Sequence, residues 1–427
     1  MKKILKNCLM YDGRLESEIR KVDILIEENI IKEISDEIKV EGNCEILDLD
    51  GKYVVPGLVN LHAHLFGSGK PSKILGGGSM QKKILSFVGT KLGDKVLMKL
   101  VKKNVLTALY SGVTTLRSSG DFYYSDVRVK KLINEKKALG PKLIVPGYAI
   151  TVPTGHGDGT FAKTATTKEE FENLVKQNKE HGVDYIKICV TGGVMDATKK
   201  GSPGELKMNL EQTKYVCDAA HKYGMTVASH TESNPGIKVA CAGGVDTIEH
   251  GGFLEESDVN LLKNSGSAQV VTLSPAIPLA KFDPKETKLN DICVYNSNFI
   301  MEGMVDGAKK CLENGILVGL GTDASCPFVP QCNMWREIYF FAKHVGVDNK
   351  FALHTATYIN SKIINREAEI GSIEVGKRAD MIVLNGNPLE NLEALRNVER
   401  VVLDGEILKK KKIKKNKYIE KMLDTLL

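Results

Sequence analysis

The segment Val55–His64 reads VPGLVNLHAH, a short apolar run that ends in two histidines one residue apart. Because successive side chains of an extended strand point to opposite faces, His62 and His64 point the same way if Leu58 to His64 forms a strand. Two neutral imidazole nitrogens would then leave the end of one strand side by side, as ligands of one metal ion do. Such a pair also occurs by chance, so the prediction of a metal site depends on the rest of the chain.

The segment from Pro56 to about Ile364 alternates short β-rich runs with amphipathic helical patterns. Eight strand candidates share an apolar, β-branched composition: Leu58–Leu61, Thr114–Arg117, Lys142–Val145, Tyr185–Val190, Thr226–Ser229, Thr247–Glu249, Ala268–Leu273 and Leu317–Leu320. Eight alternations over this length predict an α/β fold, specifically a (β/α)8 TIM barrel rather than an open doubly wound sheet.

The two ends of the chain have a different pattern from the middle. Residues 1–55 and residues 370–408 contain short alternating strands and turns without a helix-length pattern, and residues 418–427 could form a short terminal helix. The simplest architecture pairs the ends, residues 1–55 and 366–427, as one small β-sandwich domain. The barrel, residues 56–365, would be inserted between them.

A glycine-rich insert, Phe66 to Asp94, directly follows the first predicted barrel strand. We expect it to be a mobile loop over the barrel mouth and a candidate lid. It lacks the Gly-Lys-Ser/Thr spacing of a phosphate-binding loop.

Composition excludes several classes of function. The 427 residues include 59 basic and 53 acidic side chains, and much of the excess lies in the lysine-rich run 409–417, so a nucleic-acid partner is not expected. The nine cysteines are odd in number and form no Cys-x-x-Cys pair, which indicates reduced thiols and a cytoplasmic location. No apolar window reaches the length of a membrane span, and no signal peptide is expected.

Further metal-capable residues fall at or near the ends of later predicted strands: Lys187, His230, His250 and Asp323. A barrel places its chemistry at the C-terminal ends of its strands. Each residue alone has an ordinary explanation, such as a hydrogen-bonded core histidine or an aspartate that caps a helix. Their joint occurrence with His62 and His64 favours a metal site.

Lys187 lies in an apolar strand, where alternation places it on the same face as Tyr185 and Cys189. A buried ammonium is costly without a partner, and it cannot ligate a metal because it has no lone pair. Carboxylation by CO2 would convert it to an anionic oxygen ligand that can bridge two cations. The alternative is a structural lysine paired with Asp184, Asp323 or another interior acid.

These motifs resemble those of the amidohydrolase superfamily. The resemblance rests on PGLVNLHAH at 56–64, on Lys187, His230, His250-Gly251 and Gly321-Thr322-Asp323, and on GSIEVGKRADMIVL at 371–384. The run IKI at 186–188 followed by TGGVM at 191–195 looks like the branch of metal-dependent dipeptidases and carboxypeptidases, which is prolidase-like and related to imidazolonepropionases.

The resemblance implies a site with two divalent metal ions, with zinc as the first candidate. His62, His64 and Asp323 would hold the buried metal, His230 and His250 would hold the second, and carboxylated Lys187 would bridge them. A metal-bridging hydroxide would attack the amide bond of a dipeptide, N-acyl amino acid or related small-molecule amide.

The resemblance also implies roles around this site. Asp323 would take the proton of the nucleophile and pass it to the leaving amine. His156 would stabilise the oxyanion and bind substrate, or it only fixes its own turn among neighbouring glycines. Arg117 is a predicted substrate contact. Relatives commonly self-associate, which implies a homo-oligomer.

The sequence departs from the family pattern beside the ligands. Asn60 stands where relatives have an acid, Ser118 follows Arg117 where they commonly have Asp, and Thr231-Glu232-Ser233 follows His230. A mononuclear deaminase or imidazolonepropionase-like cyclic amidohydrolase is the alternative, which Lys187 disfavours because those enzymes need no bridging carbamate. A non-catalytic scaffold is a further alternative, although such proteins typically lose ligands.

Overall fold

The computed structural model describes residues 2–39, 42–71 and 79–427. The strands, in chain order, are β1 Lys2–Met10, β2 Arg20–Glu27, β3 Ile30–Ser35, β4 Cys44–Asp48, β5 Tyr53–Pro56, β6 Leu58–Ala63, β7 Val113–Ser118, β8 Lys142–Ile144, β9 Ala149–Thr151, β10 Ala162–Thr164, β11 Ile186–Cys189, β12 Val227–Thr231, β13 Thr247–His250, β14 Ala268–Val271, β15 Val318–Leu320, β16 Met381–Leu384, β17 Arg400–Leu403 and β18 Glu406–Ile407.

The helices, in chain order, are α1 Ser79–Val88, α2 Lys91–Tyr110, α3 Ser125–Asn134, α4 Lys168–Glu180, α5 Leu210–Lys222, α6 Asn234–Gly243, α7 Glu256–Ser265, α8 Leu273–Lys281, α9 Pro284–Thr287, α10 Asp291–Glu313, α11 Met334–Phe340, α12 Asn349–His354, α13 Asn360–Ile363 and α14 Lys417–Asp424. Side chains specify several helix starts. Thr167 and Glu170 cap each other's backbone N–H groups at the start of α4, and Asn209 and Gln212 do so at α5.

Both chain ends contribute to one eight-stranded sheet with the order β18-β17-β16-β5-β1-β2-β3, to which β4 is added on β1. The strand β1 pairs with β4 over its first half and with β5 at Leu9 and Met10. It changes partner at Asn7, which has a φ of 56°. The apolar core of this sheet joins Leu5 and Met10 to Met381 and Val402 across the two chain ends. The two chain ends therefore contribute to one sheet. The arrangement of its strands as the two layers of a sandwich stays a prediction.

The middle of the chain forms two parallel sheets with helices between their strands, as an α/β fold requires. One contains seven strands in the order β10-β9-β11-β12-β13-β14-β15, and the other contains β6-β7-β8. Each of the eight predicted strands overlaps one of these strands, and β9 and β10 are additional. Backbone hydrogen bonds also join the two sheets, from His64 N to Ala324 O at 2.9 Å and from Asp184 N to Val145 O at 2.8 Å.

The insert after β6 is not one continuous loop, contrary to the prediction. Residues 79–88 form α1, and α2 begins at Lys91 after an N-cap in which Thr90 Oγ1 accepts the N–H of Gly93 at 3.1 Å. The glycines that suggested a loop obscured the helical pattern that follows them. The remaining part of the predicted lid, residues 72–78, lies outside the described residues.

Helix α14 confirms the predicted terminal helix, and it packs back onto the body of the protein. Its Ile419 and Leu423 are buried against Phe282 and Phe328. None of the helices in the described ranges combines the length and apolar character that a bilayer span requires.

Candidate metal centre

The carboxyl ends of the parallel strands bring all six predicted ligands to one cavity. His62 lies in β6 and His64 just after it, Lys187 in β11, His230 in β12, His250 at the end of β13, and Asp323 three residues after β15. All six line the cavity, and all six are at most 9% exposed. This convergence follows from topology, because neighbouring parallel strands end at the same edge of a sheet.

His62, His64 and Asp323 form the first cluster of possible ligands. Nε2 of His62 lies 3.3 Å and Nε2 of His64 lies 3.6 Å from Oδ1 of Asp323. That oxygen is buried and has no hydrogen-bond partner among the described residues. Two imidazole nitrogens and one carboxylate oxygen facing each other are a donor set that suits a divalent cation.

The other ring nitrogen of each histidine faces a group that fixes the ring. Nδ1 of His64 lies 2.7 Å from the carbonyl oxygen of Gly120, so it carries the hydrogen and leaves Nε2 free. Nδ1 of His62 lies 3.1 Å from Oε2 of Glu249, although the two are not aligned as a hydrogen bond. The carboxylate favours a hydrogen on Nδ1 of His62 by charge.

His230 and His250 form the second cluster. Nδ1 of His230 lies 2.8 Å from Nε2 of His250, and Nδ1 of His250 lies 2.7 Å from the hydroxyl oxygen of Thr272. With Thr272 engaging Nδ1, Nε2 of His250 is the nitrogen left for a ligand role. The two converging nitrogens suit a cation as the first cluster does.

Burial keeps the four histidines in the form that can bind a metal. It lowers the pKa of His62 and of His64 to about 4, and it holds the pKa of His230 and of His250 well below the usual value. Burial alone would raise the pKa of Asp323, but the electrostatic influence of the neighbouring imidazoles, His62 first, outweighs it and holds that pKa far below its usual range. The centre therefore offers neutral imidazoles and an anionic carboxylate at neutral pH.

Lys187 is 1% exposed, and its Nζ lies beside Oε2 of Glu249. It is near enough to both clusters to influence the pKa of His62 and of His250. Burial lowers the pKa of Lys187 to about 7, so a substantial fraction of neutral amine is available near neutral pH. Only the neutral amine has the lone pair with which CO2 reacts. The buried Nζ makes no aligned hydrogen bond with any described residue. This environment fits carboxylation of Lys187. The contact with Glu249 fits the alternative equally well, in which Lys187 is a structural lysine paired with an interior acid.

Two left-handed residues aim ligands at the centre. His250 has a φ of 72° and Asp323 a φ of 51°, a region that side chains other than glycine rarely adopt. Strand alternation alone would point His250 away from the face of its neighbour Glu249. The left-handed turn brings both side chains inward. Strain of this kind is concentrated at functional sites.

His156 lies beside the second cluster. Its ring stacks on that of His230 with centroids 4.0 Å apart, and its Nδ1 lies 2.5 Å from Oδ2 of Asp196. Asp196 also accepts the N–H of Gly193 at 2.8 Å. His156 lines the cavity, which supports the hypothesis that it stabilises the oxyanion. The contact with Asp196, rather than the turn that contains His156, holds its ring in place.

Arg117 lies below the cavity rather than in its wall. Its Nε donates to the carbonyl oxygen of Leu61 at 2.8 Å and its Nη2 donates to Oε1 of Glu249 at 3.0 Å. It is 3% exposed. This position supports a role in holding β6 and Glu249 better than the predicted contact with substrate.

Sequence reasoning assigned no role to three acids at this site: Glu249, Asp196 and Glu232. Glu249 lies in the run Thr247–His250, where its spacing from Thr247 could have placed it inside the barrel. Glu232 follows β12, lines the cavity and is 7% exposed. Burial raises its pKa to about 8. Within the described part of the chain it joins His230 and His250, so the second cluster has three possible ligands.

The cavity has a volume of about 450 Å³, which suits a small organic substrate. On one side are aromatic rings, with those of Phe66 and Phe122 4.3 Å apart and that of Phe161 near His64. On the other side are aliphatic side chains that include Ile300 and Met304. We call these the aromatic side and the aliphatic side. The ligand clusters lie between them.

Comparison with known proteins places this geometry in a family context. Residues 53–408 match the Amidohydrolase family. An ochratoxinase from Aspergillus niger is 24% identical over 323 residues, which cover 69% of this chain and 64% of that protein. This chain therefore spans less than two thirds of that relative's length.

Two further proteins are similar over most of their length. An imidazolonepropionase from Thermoanaerobacter pseudethanolicus is 24% identical over 409 residues, which cover 89% of this chain and 88% of that protein. The solved structure of a Xaa-Pro dipeptidase with bound methionine superposes with a TM-score of 0.84 at 28% identity, covering 96% of this chain and 100% of that one.

Proposed function

This chain belongs to the amidohydrolase family, whose members are hydrolases, and we propose that it cleaves the C–N amide bond of a dipeptide or N-acyl amino acid. The observation that carries the proposal is the convergence of His62, His64, His230, His250 and Asp323 around buried Lys187. The similarity to a Xaa-Pro dipeptidase supports the dipeptide substrate class.

The donor atoms fit two divalent cations, which we propose are zinc. His62, His64 and Asp323 would hold one, His230 and His250 the other, and carboxylated Lys187 would reach both. When bound, the cations would lower the pKa of water toward neutrality and polarise the scissile carbonyl.

The chain's own residues would then handle the protons. Asp323 is the anionic member of the first cluster, so it would accept the proton of the attacking water and deliver it to the leaving amine. His156 would donate from Nε2 to the developing oxyanion. Asp196, which contacts Nδ1, would fix the orientation of the ring for that donation.

The second candidate is an imidazolonepropionase-like ring-opening hydrolase, which the similarity over 88% of an imidazolonepropionase favours. Such an enzyme needs no bridging carbamate, so that function would not explain why Lys187 is buried at this position. A buried lysine close to both ligand clusters therefore favours the hypothesis of a site with two metal ions. The non-catalytic scaffold is disfavoured because the predicted ligands are all present and buried.

The experiment is a Lys187→Ala variant with metal counted per chain. We expect two metal ions per wild-type chain, at most one in the variant, and a loss of amidase activity of at least about a hundredfold, because the bridging oxygen ligand is gone. Lys130→Ala, which removes a lysine that pairs with Asp184 at the surface, is the matched control. Full activity with one metal per chain would contradict the binuclear mechanism.

The substrate arm uses the metal-loaded wild-type protein. A panel of dipeptides and N-acyl amino acids is compared with imidazolone propionate, with product formation followed directly. Hydrolysis confined to the ring compound would favour the second candidate.

We further propose that residues 56–365 form the closed (β/α)8 barrel and that residues 1–55 and 366–427 form a second domain. The hydrogen bonds between the two parallel sheets, and the sheet shared by the chain ends, support this division. We also propose a small-molecule amide as the only substrate partner, and a homo-oligomer.

A further inference from the structure

Glu232 is a cavity carboxylate that the proposed reaction leaves without a task. It follows β12 directly, and its backbone is fixed, because its N–H donates to the hydroxyl oxygen of Thr191 at 3.0 Å. Gly204 packs so tightly against it that a Cβ added there would lie 2.6 Å from the carbonyl oxygen of Glu232. The backbone of Glu232 is therefore held in place from both sides.

This carboxylate has no cationic partner. Its Oε2 is buried without a hydrogen bond to any described residue. In the described ranges no lysine or arginine nitrogen lies within 4.0 Å of it, and the nearest basic nitrogen is Nε2 of neutral His230, 3.8 Å away. A buried carboxylate without a counter-charge is costly, so such an atom in a cavity wall indicates a ligand that supplies the charge.

The other acids near the cavity have closer partners. Asp196 accepts hydrogen bonds from His156 and Gly193, Glu249 contacts Lys187 and Arg117, and Asp323 faces His62 and His64. Among the described residues, Oε2 of Glu249 and Oδ1 of Asp323 also lack an aligned hydrogen bond, but each lies within 3.6 Å of a basic nitrogen, whereas the nearest one to Glu232 is 3.8 Å away.

Glu232 approaches the second cluster at the ring nitrogen of His230 that does not face His250. His230 turns Nδ1 toward His250, which makes that nitrogen the ligand atom, whereas Glu232 lies 3.8 Å from the opposite nitrogen, Nε2. The carboxylate is therefore next to the cluster, close enough to both histidines to form a group with them, without facing the pair of converging nitrogens. That arrangement suits a substrate contact next to the reacting carbonyl better than a seventh ligand.

We infer that Glu232 binds a protonated amine of the substrate, namely the α-ammonium group of a dipeptide. This inference rests on the proposed function and deepens it. In a dipeptide the α-ammonium group is on the carbon next to the scissile carbonyl, so it would lie beside the second cluster, where Glu232 is. The aromatic and aliphatic sides would then accept the two side chains. A charge-assisted hydrogen bond of this kind is among the stronger polar contacts.

The test compares matched substrates with the metal-loaded full-length protein. A panel of dipeptides is assayed beside their N-acetyl forms, which lack the ammonium group. A second pair, N-acetyl-Met-Lys and N-acetyl-Met-norleucine, reports on a side-chain ammonium group. Wild type, Glu232→Gln and Glu232→Asp are measured, with metal content and melting temperature recorded for each.

We expect wild type to prefer the free-amine forms by at least about tenfold in kcat/KM, and Glu232→Gln to reduce that ratio by at least about tenfold, mainly through KM. Glu232→Asp should keep part of the preference, because it keeps the charge. Glu205→Gln removes an exposed carboxylate from the neighbouring segment and should leave the ratio unchanged.

The failures are distinguishable. If wild type hydrolyses amides without preferring the free amine, or Glu232→Gln lowers both forms equally, the inference is overturned while the proposed function stands. A preference for the Lys pair alone overturns the α-ammonium assignment. Loss of metal in Glu232→Gln identifies a ligand and overturns the inference. If wild type hydrolyses no amide in the panel, both proposals fall.

Discussion

At the scale of single residues, Glu249 connects more of the buried charges than any predicted ligand does. Its fully buried carboxylate contacts Lys187, His62 and Arg117. It compensates the guanidinium charge of Arg117, and it favours the His62 tautomer that directs Nε2 toward Asp323. Such outer carboxylates tune metal sites nearly as strongly as the ligands do.

Glu249→Gln should weaken metal binding by about 10–100-fold, because the charge that orients His62 is lost while the side-chain shape is kept. Titration calorimetry of the metal-free protein measures this directly. Glu369→Gln, which removes a carboxylate from a surface pair with Lys142, is the control. An unchanged metal affinity with an unchanged melting temperature would assign Glu249 no role at the centre.

At the scale of elements, the backbone of the loop after β15 approaches β6 closely. A Cβ added to Gly321 would lie 2.4 Å from Cβ of His62 and 2.7 Å from its backbone nitrogen. Gly321 has no positive φ, so the requirement for glycine comes from contact rather than from backbone conformation. The position of His62 therefore depends on Gly321, which lies 259 positions later in the sequence.

Gly321→Ala should displace His62 and reduce metal occupancy at the first cluster, since backbone atoms cannot move aside as a flexible side chain can. Metal stoichiometry after dialysis is the measurement. Gly386→Ala, whose added Cβ would meet only Cβ of Ala394 at 3.4 Å, is the matched control. Full occupancy in Gly321→Ala would show that β6 can shift without disturbing its ligand.

Another element is held by Glu337 of α11, which accepts the first two N–H groups of α8, from Leu273 at 2.7 Å and Ser274 at 2.6 Å. The helix α8 lines the aliphatic side of the cavity. Burial raises the pKa of Glu337 to about 8 despite these two donors. The folded protein therefore keeps this proton over a pH range in which the unfolded chain has lost it.

The contribution of Glu337 to stability should be fully present below about pH 4.5 and should decrease as pH rises toward about 8, because the folded state binds the extra proton over that window. Urea unfolding of wild type and Glu337→Gln from pH 5 to 8.5 tests this. Wild type should lose stability relative to the variant as pH rises. Parallel curves would show that Glu337 titrates normally.

At the scale of the whole molecule, the C-terminal helix supports the cavity from outside. Arg336 is fully buried, and its guanidinium reaches Glu420 at 3.1 Å and Asp424 at 2.6 Å in α14. Leu423 packs near Phe328, which belongs to the loop after β15. That loop returns to the first cluster, because Ser325 Oγ donates to the carbonyl oxygen of His64 at 2.7 Å.

Leu423→Ala should destabilise the protein by about 2–5 kcal/mol, as expected for a fully buried leucine. It should also lower kcat/KM, because the loop beside His64 loses its support. Chemical unfolding and steady-state kinetics are the measurements. Lys421→Ala, on the exposed face of α14, is the control. A stability loss without any kinetic effect would limit α14 to a structural role.

The sequence by itself determined the family, the strand pattern and the candidate ligands. Each depends on local order: alternation in β6, an isolated lysine in apolar β11, and histidines at strand ends. It could not identify α1 behind its glycines, and it could not show whether Arg117 lies in the cavity wall or in the interior, because both depend on what packs against them.

Only the tertiary structure decided which acids accompany the ligands. Glu249 is 62 residues from Lys187 and 132 residues from Arg117 in the sequence, and no local pattern links them. Likewise, His62 and His64 at the end of β6 are a possible pair of ligands in the sequence, but they become part of a cluster of possible ligands only where Asp323, after β15, lies within 3.6 Å of both. The physical reason is that parallel strands from distant parts of the chain end at one edge, which brings these charges into contact.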